Sequence, residues 1–139
     1  MSHLPELQQA NIAIVQDLYA AFADQDIESL LRLLAEDVDW LFFGPTEIPF
    51  SGHFIGTSRV RTFFERALET TEFLVFEPRE YVAGTGTVLV QGYERAIAKS
   101  TGREWKTDWA HVFTLEGERI TKLREYYDTA VMVEAFKLA

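Results

Sequence analysis

Two residues that can exchange protons lie in the C-terminal part of the chain, His111 and Glu125. His111 stands among aromatic residues in the run WAHVFTLE, and Glu125 stands beside two tyrosines in the run LREYYD. A histidine changes its charge near neutral pH and can act as a general acid or base. A carboxylate beside it would raise its proton affinity. The two runs therefore suggest a proton-transfer site, provided that both side chains point into the protein.

The orientation of His111 follows from the alternation of its strand. Side chains alternate between the two faces of a strand, and the more aromatic face should pack against the helices. His111 lies on that face, so we expect it to point inward. The alternative is a core histidine that is satisfied by one hydrogen bond and does no chemistry. The face consists of Trp105, Thr107, Trp109, His111, Phe113 and Leu115.

The orientation of Glu125 depends on the length of the turn at EGE, residues 116–118. A three-residue loop pairs Leu115 with Arg119 and places Glu125 and Tyr127 on the face of His111. A one-residue slip exchanges the faces of a strand. With a two-residue loop, Glu125 would be a surface carboxylate paired with a neighbouring base. The inward residues would then be Arg124, Tyr126 and Asp128.

Further side chains are expected around the same site. Arg95 is taken to point inward, and because a buried arginine needs an acidic partner we expect it to pair with Glu125. That pair could hold a polar ligand group or be purely structural. The predicted wall is aromatic; such stripes are most often core, but tyrosine and tryptophan also carry polar tips that seek partners. The wall residues are Tyr19, Trp40, Phe42, Tyr93, Trp109 and Tyr127.

Composition excludes several classes of function. The chain has 139 residues, no cysteine and a net charge of −9, which argues against disulfides, thiolate metal sites and a phosphate-binding surface for nucleic acid. The three histidines show no metal-ligand spacing. No signal peptide, membrane-length apolar run, phosphate-binding loop or nucleophile elbow is visible. We therefore expect a cytoplasmic protein without metal or cofactor.

The periodicity predicts three helices followed by a run of strands. Apolar residues at helical spacing mark residues 8–23, a short helix capped by Asp26 and holding leucines 30, 31, 33 and 34, and a third helix capped by Thr57 or Ser58. A β-rich run at 38–44 and a loop at 44–56 lie between the second and third helices. From residue 72 the period becomes two, with Gly92 a plausible bulge. The predicted strands are 73–78, 79–84, 87–99, 103–116 and 119–128.

Four segments carry a resemblance to a known superfamily: DLYAAFADQDIESLLRLLAEDVDW, FSGHFIGTSRVRTFF, WAHVFTLEGERI and LREYYD. They resemble the nuclear-transport-factor-2-like superfamily, and within it the SnoaL-like and ketosteroid-isomerase-related members. The resemblance implies one domain over residues 1–139 of the α+β class. Its expected form is a cone-shaped, curved antiparallel sheet closed by three N-terminal helices, a cystatin-like α+β barrel. It also implies an internal cavity, usually without cofactor, a homodimer formed through the outer sheet face, and the hairpin register that brings Glu125 inward.

The catalytic patterns of the superfamily are met only in part. Ketosteroid isomerases place a carboxylate where this chain has Phe42, an oxyanion-hole tyrosine where it has Leu18 (with Tyr19 one step around), and a protonated aspartate where it has His111. No proton-abstracting carboxylate remains, so the resemblance does not predict steroid isomerisation by that route. Epoxide-hydrolase-like members match at Arg95 and Glu125 but not at Ile97. SnoaL-like cyclases need one acid or base on the penultimate strand, which His111 could supply.

Three hypotheses remain for the function. The first is an enzyme in which His111 moves a proton on a small apolar carbonyl or cyclic metabolite, assisted by Glu125 and Arg95. The second is a binding protein whose cavity holds such a metabolite without chemistry. The third is an interaction domain with a filled cavity and a functional outer sheet face. Strands with apolar residues on both faces favour a homodimer in every case.

Overall fold

The computed structural model describes residues 3–138 and has the α+β architecture that the sequence predicts. A fourth helix at the C-terminus, α4, was not predicted. The elements in chain order are α1 His3–Ala23, α2 Ile27–Arg32, β1 Leu34–Phe42, β2 Gly52–Ile55, α3 Thr57–Thr70, β3 Thr71–Ala83, β4 Thr87–Ala98, β5 Glu104–Glu116, β6 Arg119–Tyr127 and α4 Thr129–Phe136.

The six strands form one curved sheet in the order β2-β1-β6-β5-β4-β3. All neighbours are antiparallel except β1 and β6, which run parallel. The sheet does not close on itself, so β2 and β3 are its edges. Helices cover the inner face and bury the aromatic side chains that point toward them. Within residues 3–138, no helix has the length and apolar character needed to span a membrane.

The helix boundaries follow the predicted caps at one of two positions. Asp26 caps α2 as predicted, because its carboxylate accepts a hydrogen bond from the backbone N–H of Ser29 at 3.1 Å. α2 ends at Arg32, and Leu34 already begins β1. The predicted side-chain cap of α3 was wrong. Gly56 occupies the N-cap position with φ +91°, and no side chain caps this end.

The predicted strands 73–78 and 79–84 are one continuous strand, β3, with two irregularities in its pairing to β4. The register shifts between Phe73 and Val75, and again between Pro78 and Glu80. Each shift inserts one unpaired residue, and an inserted residue bends a strand and increases its twist. The Pro78–Arg79 boundary therefore marks a bulge within one edge strand, where proline is tolerated because the ladder is already interrupted.

The hairpin between β5 and β6 combines features of both predicted registers. Gly117 and Glu118 form a two-residue turn with φ of +55° and +66°, so the predicted pairing of Leu115 with Arg119 was wrong. The pairing then shifts by one residue between Thr114 and Leu115, so that Thr121 lies opposite no residue of β5 in the strand pairing. This bulge reverses the faces of the rest of β6. His111 pairs with Glu125, and Glu125 turns inward as predicted.

Gly92 is not a bulge, since it pairs in regular register with Trp109 on β5. Its missing side chain makes room for the Trp109 ring instead. A Cβ atom at this position would lie 2.3 Å from Cζ2 of Trp109 and 2.6 Å from the carbonyl oxygen of Glu77. Glycine is therefore required here for the close approach of an indole to the sheet.

The C-terminal helix α4 closes one end of the hollow formed by the sheet and the helices. Phe136 packs against Trp105, with ring centroids 5.3 Å apart, and against Phe50 at 6.1 Å. The β4–β5 loop holds the helix from outside, because Thr101 donates a hydrogen bond to the carbonyl oxygen of Ala135 and Arg103 donates to that of Glu134. No element is predicted from the sequence for the residues of α4, Thr129–Phe136.

Candidate active site

Between α1, α3 and the inner face of the sheet lies a cavity, here called the inner cavity. About 40 Å³ is open to the centres of water-sized molecules, which corresponds to about three or four waters. Its wall is aromatic and aliphatic apart from a few polar groups on one side. No lysine or arginine lines it. The polar lining residues are Tyr19, Glu94, His111, Glu125 and Tyr127.

His111 lies at the centre of the polar side and is 4% exposed. Its Nδ1 atom is 2.8 Å from the hydroxyl oxygen of Tyr19 on α1. Its Nε2 atom is 3.0 Å from the hydroxyl oxygen of Tyr127 and 3.2 Å from Oε1 of Glu125. The prediction that His111 points inward is therefore confirmed. Both ring nitrogens have partners, Nδ1 on α1 and Nε2 twice on β6.

Glu125 is as deeply buried as His111 and uses both carboxylate oxygens. Oε1 contacts the imidazole, and Oε2 accepts a hydrogen bond from Nε1 of Trp40 at 2.9 Å. The parallel pairing of β1 with β6 positions this contact, because Phe42 and Trp40 lie beside Glu125 and Leu123. A buried carboxylate is stable only when it is paired and hydrogen-bonded. Here the imidazole and the indole supply that support.

A second buried carboxyl group belongs to Glu94 on β4, which is 1% exposed. Its Oε2 accepts a hydrogen bond from Nε1 of Trp105 at 2.8 Å, and a further hydrogen bond links it to Tyr127. Burial raises the pKa of Glu94 to about 8, and the negative charge of Glu125 adds to this shift. Burial also raises the pKa of both Tyr19 and Tyr127. At neutral pH Glu94 is therefore mainly an uncharged acid, and both tyrosines keep their protons.

These contacts form one connected polar group, here called the polar cluster. It runs from Tyr19 through His111 to Tyr127 and Glu94, with Glu125 attached at His111. Two tryptophans, Trp40 and Trp105, donate hydrogen bonds to its two carboxyl groups. A histidine with both nitrogens bound, an adjacent carboxylate and an uncharged acid can together accept and donate protons.

Two predicted site residues lie outside this site. Arg95 was wrongly expected inside; it is on the outer face of β4 and forms an ion pair with Glu104 at 3.3 Å. Tyr93 also faces outward, with the guanidinium of Arg79 over its ring at 4.7 Å. The charge of Arg95 is therefore unavailable to Glu125, and the imidazole of His111 takes its place.

Three predicted aromatic residues line the inner cavity with Tyr19, namely Trp40, Phe42 and Tyr127. Trp109 is buried but lies behind His111, on which it stacks with ring centroids 4.0 Å apart. Its Nε1 is the single buried side-chain nitrogen or oxygen without a hydrogen-bond partner among the described residues. Trp109 thus supports the imidazole ring and does not form the cavity wall.

Glu94 was missed because β4 carries apolar residues on both faces, so hydrophobicity did not distinguish them. Residue size could have done so. The inner face of β4 carries small residues where β5 carries large ones, since Gly92 pairs with Trp109 and Ala96 with Trp105. Glu94 lies between these two positions. A small-against-large pattern across the two strands would have placed it inward.

A second histidine, His53, lies at the surface beside Asp39. Arg124 points to the same carboxylate, with Nη1 3.0 Å from Oδ1 of Asp39, as expected of the outward face of β6. Across residues 3–138, no three acidic or histidine side chains converge as a metal-binding group.

The chain matches the family model described as a SnoaL-like domain over residues 15–123. No curated protein sequence matches it. An NTF2-like protein from Burkholderia xenovorans has 34% sequence identity and a TM-score of 0.86, with 94% of this chain and 98% of that chain covered.

Two further solved structures are similar at lower identity. TerC co-crystallised with polyporic acid has 23% identity and a TM-score of 0.78, with 91% of this chain and 98% of that chain covered. A candidate polyketide cyclase from Xanthomonas campestris has 18% identity and a TM-score of 0.77, with 94% and 98% covered. At these identities the two structures show a shared fold alone.

Proposed function

This chain belongs to the SnoaL-like domain family, with an NTF2-like fold, and we propose that it is a cofactor-independent acid–base enzyme. Its substrate would be a small, uncharged carbonyl or cyclic metabolite, and its reaction an isomerisation, cyclisation or hydrolysis that begins with proton transfer. The observation that carries this proposal is the buried contact of His111 with Glu125, at 3.2 Å, in the wall of an aromatic cavity. Such ionisable groups are costly to bury and are concentrated at active sites.

The geometry assigns a role to each member of the pair. When Nε2 of His111 carries the proton, it lies 3.0 Å from the Tyr127 hydroxyl oxygen and 3.2 Å from Oε1 of Glu125, and Nδ1 has the free lone pair that accepts a hydrogen bond from Tyr19. A carboxylate in this position holds the imidazole in one tautomer and stabilises the imidazolium that forms when Nδ1 accepts a proton. Glu125 is thus the orienting group and Nδ1 of His111 the base.

Tyr19 connects this base to the substrate. Its hydroxyl lines the inner cavity and lies 2.8 Å from Nδ1. A substrate oxygen can replace Nδ1 as the acceptor of the Tyr19 O–H, which holds the carbonyl and frees Nδ1 for the adjacent C–H. Because burial raises the pKa of Tyr19, the hydroxyl remains a hydrogen-bond donor through neutral and mildly alkaline pH.

The wall of the inner cavity supports an uncharged substrate. Most of its lining is phenylalanine, leucine and tryptophan, and such surfaces gain free energy when they cover apolar groups. An anionic substrate would meet Glu125 without any lysine or arginine in the wall. An uncharged carbonyl meets the Tyr19 hydroxyl instead.

Hydrogen–deuterium exchange tests this function without knowledge of the natural substrate. Cyclohexanone or butanone is incubated with the protein in deuterated buffer, and deuterium at the α-carbon is followed by NMR. We expect the native protein to accelerate exchange and His111→Gln to reduce the acceleration by about a hundredfold or more, because general-base catalysis typically contributes factors of this size.

His53→Gln is the matched control, because it removes the other imidazole that lies beside a carboxylate, at the surface near Asp39. This variant should exchange ketones at the native rate. Equal rates for the native protein and His111→Gln would contradict the proposed enzyme.

The alternative is a binding protein that holds the same class of ligand without chemistry. One observation favours it: both nitrogens of His111 and both oxygens of Glu125 already contact protein groups. Under this alternative, a ketone would raise the thermal stability of the protein on titration and be recovered without deuterium. Catalysed exchange would exclude it.

We also propose a homodimer formed through the outer sheet face. Here that name covers the outward side chains of β3 to β6, together with Phe43 after β1. Several large apolar residues are exposed on it, and Tyr126 stacks on Phe43 with ring centroids 4.9 Å apart. Exposed apolar residues that lie together on one face are typical of an interaction surface. The exposed residues are Phe43, Val82, Leu89 and Tyr126.

A further inference from the structure

A second concave region lies outside the inner cavity, between the C-terminal end of α1 and the edge strand β3. We call it the outer groove. About 400 Å³ of it is open to the centres of water-sized molecules, against about 40 Å³ for the inner cavity. Its wall includes Ala20, Ala23 and Gln25 from the end of α1, Leu68 from α3, and Leu74 and Pro78 from β3.

The outer groove and the inner cavity share part of their walls. Tyr19, Phe22, Phe73 and Phe76 line both. The rings of Phe22 and Phe76 meet at a centroid distance of 5.1 Å, and those of Phe22 and Phe73 at 5.4 Å. The rings of these shared residues therefore lie between the two spaces. The three phenylalanines are half-buried and so reach solvent on one side, and exposed side chains change rotamer within picoseconds to nanoseconds.

The chemistry of the outer groove is unusual for the surface of this chain. A quarter of the residues in the sequence are charged, and the net charge is −9. None of the residues that line the outer groove is charged. Its polar residues are Gln25 and Tyr19. Leu74 is 38% exposed there, at the first irregularity of β3. Uncharged concave surfaces of this kind favour apolar ligands.

From this arrangement we infer that the enzyme takes an elongated substrate in two parts: the reacting carbonyl end enters the inner cavity between Phe22 and Phe76, and an uncharged apolar tail lies in the outer groove. The inference rests on the proposed function, since the polar cluster defines the reacting end. It explains how a cavity with room for a few water molecules can serve a larger metabolite. Tyr19 lies at the junction, where it contacts both parts.

A series of methyl ketones of increasing length tests this inference: butanone, hexanone, octanone and decanone. Dissociation constants are measured by NMR titration of the native protein. Each methylene buried in the outer groove should strengthen binding about threefold to fourfold, as expected for the transfer of one CH₂ group out of water. Ketones of different length that bind equally would overturn the inference.

Leu74→Asp places a charge in the outer groove without touching the polar cluster, and Leu74→Lys does so with the opposite sign. In both variants the dissociation constant should change less with the length of the ketone than in the native protein. The binding and deuterium exchange of butanone should stay unchanged. Leu7→Asp is the matched control, because Leu7 is an exposed leucine outside the groove, and it should retain the native dependence. A native dependence in both Leu74 variants would overturn the inference.

The outcomes separate the two proposals. If butanone exchanges deuterium and the dissociation constant does not depend on ketone length, the proposed enzyme is supported and the two-part site is rejected. A dependence on length that Leu74→Asp removes, with no exchange of any ketone, would support the two-part site in a binding protein and reject the enzyme. Failure of every ketone to bind would reject both.

Discussion

Glu94 is the residue whose environment differs most from that of an ordinary side chain of its type. It is buried beside a second carboxylate, Glu125, and its hydrogen bonds come from an indole and a tyrosine hydroxyl, neither of which carries charge. Without a cationic partner of its own, it remains mainly protonated at neutral pH, with a pKa raised to about 8. In its protonated form it places no second negative charge near Glu125.

This environment makes stability depend on pH through Glu94. Its pKa is about 8 in the folded protein and near 4.5 when the side chain is exposed, so the folded state holds the proton more tightly. Its contribution to stability is therefore complete below about pH 4.5 and is lost as the pH rises to about 8. The loss is on the order of 5 kcal/mol.

Glu94→Gln should remove the part of the pH dependence of stability that Glu94 causes, because glutamine does not titrate. It also keeps an acceptor for the N–H of Trp105. Urea unfolding at pH 5.5 and 8.5 should show a smaller loss of stability at high pH than in the native protein. Glu104→Gln removes a surface carboxylate on the neighbouring strand and serves as the control, with the native dependence expected. Parallel curves for the native protein and Glu94→Gln would show that Glu94 is already ionised when folded.

Among the elements, the β5–β6 hairpin decides which residues reach the site. A two-residue turn alone would have sent Arg124 inward, and the unpaired Thr121 corrects the register so that Glu125 does so instead. Glu118 adopts φ +66° in that turn. A side chain at this φ is strained, and hairpin turns of two residues with positive φ favour glycine at the second position.

Glu118→Gly should therefore stabilise the protein. Relief of the strain is worth up to about 1 kcal/mol, which corresponds to a rise in melting temperature of about 2–4 °C for a domain of this size. Differential scanning calorimetry measures the change. Glu116→Gly, in the last residue of β5, should lower the melting temperature, since glycine within a strand loses more entropy on folding. A lower melting temperature for Glu118→Gly would contradict the proposed strain.

At the scale of the whole molecule, the outer sheet face is the part that one chain leaves uncovered. Leu89 on β4 is 46% exposed and pairs with Val82 on β3, which is 56% exposed. Two such faces packed together would cover both. Light scattering at micromolar concentration should therefore give a mass near twice the 16.0 kDa of one chain.

Leu89→Asp should shift this equilibrium to the monomer while leaving the folded chain intact, since the side chain lies on the surface of the monomer. Leu7→Asp changes an exposed leucine away from the sheet and should leave the mass unchanged. A native mass near 16.0 kDa would contradict the dimer.

The sequence alone determined the class of fold and the inward direction of His111. Three helical stripes and a run of period-two strands predict an α+β domain, and on β5 one face is clearly more aromatic, so the side of His111 could be read from its neighbours. These are local properties, set by residue order within one element. The C-terminal helix escaped prediction because it is short and three of its eight residues, Thr129, Val131 and Val133, are β-branched and have low helix propensity.

The tertiary structure decided which residues join His111. On β4 both faces are apolar, so only the pairing with the large residues of β5 shows that Glu94 points inward and Arg95 outward. On β6 the two-residue turn by itself would place Arg124 inward, whereas the bulge at Thr121 shifts the register by one residue and places Glu125 inward. Neither feature alone predicts the register. Register and the packing of small against large residues are properties of pairs of strands, and they come into being only when the sheet forms.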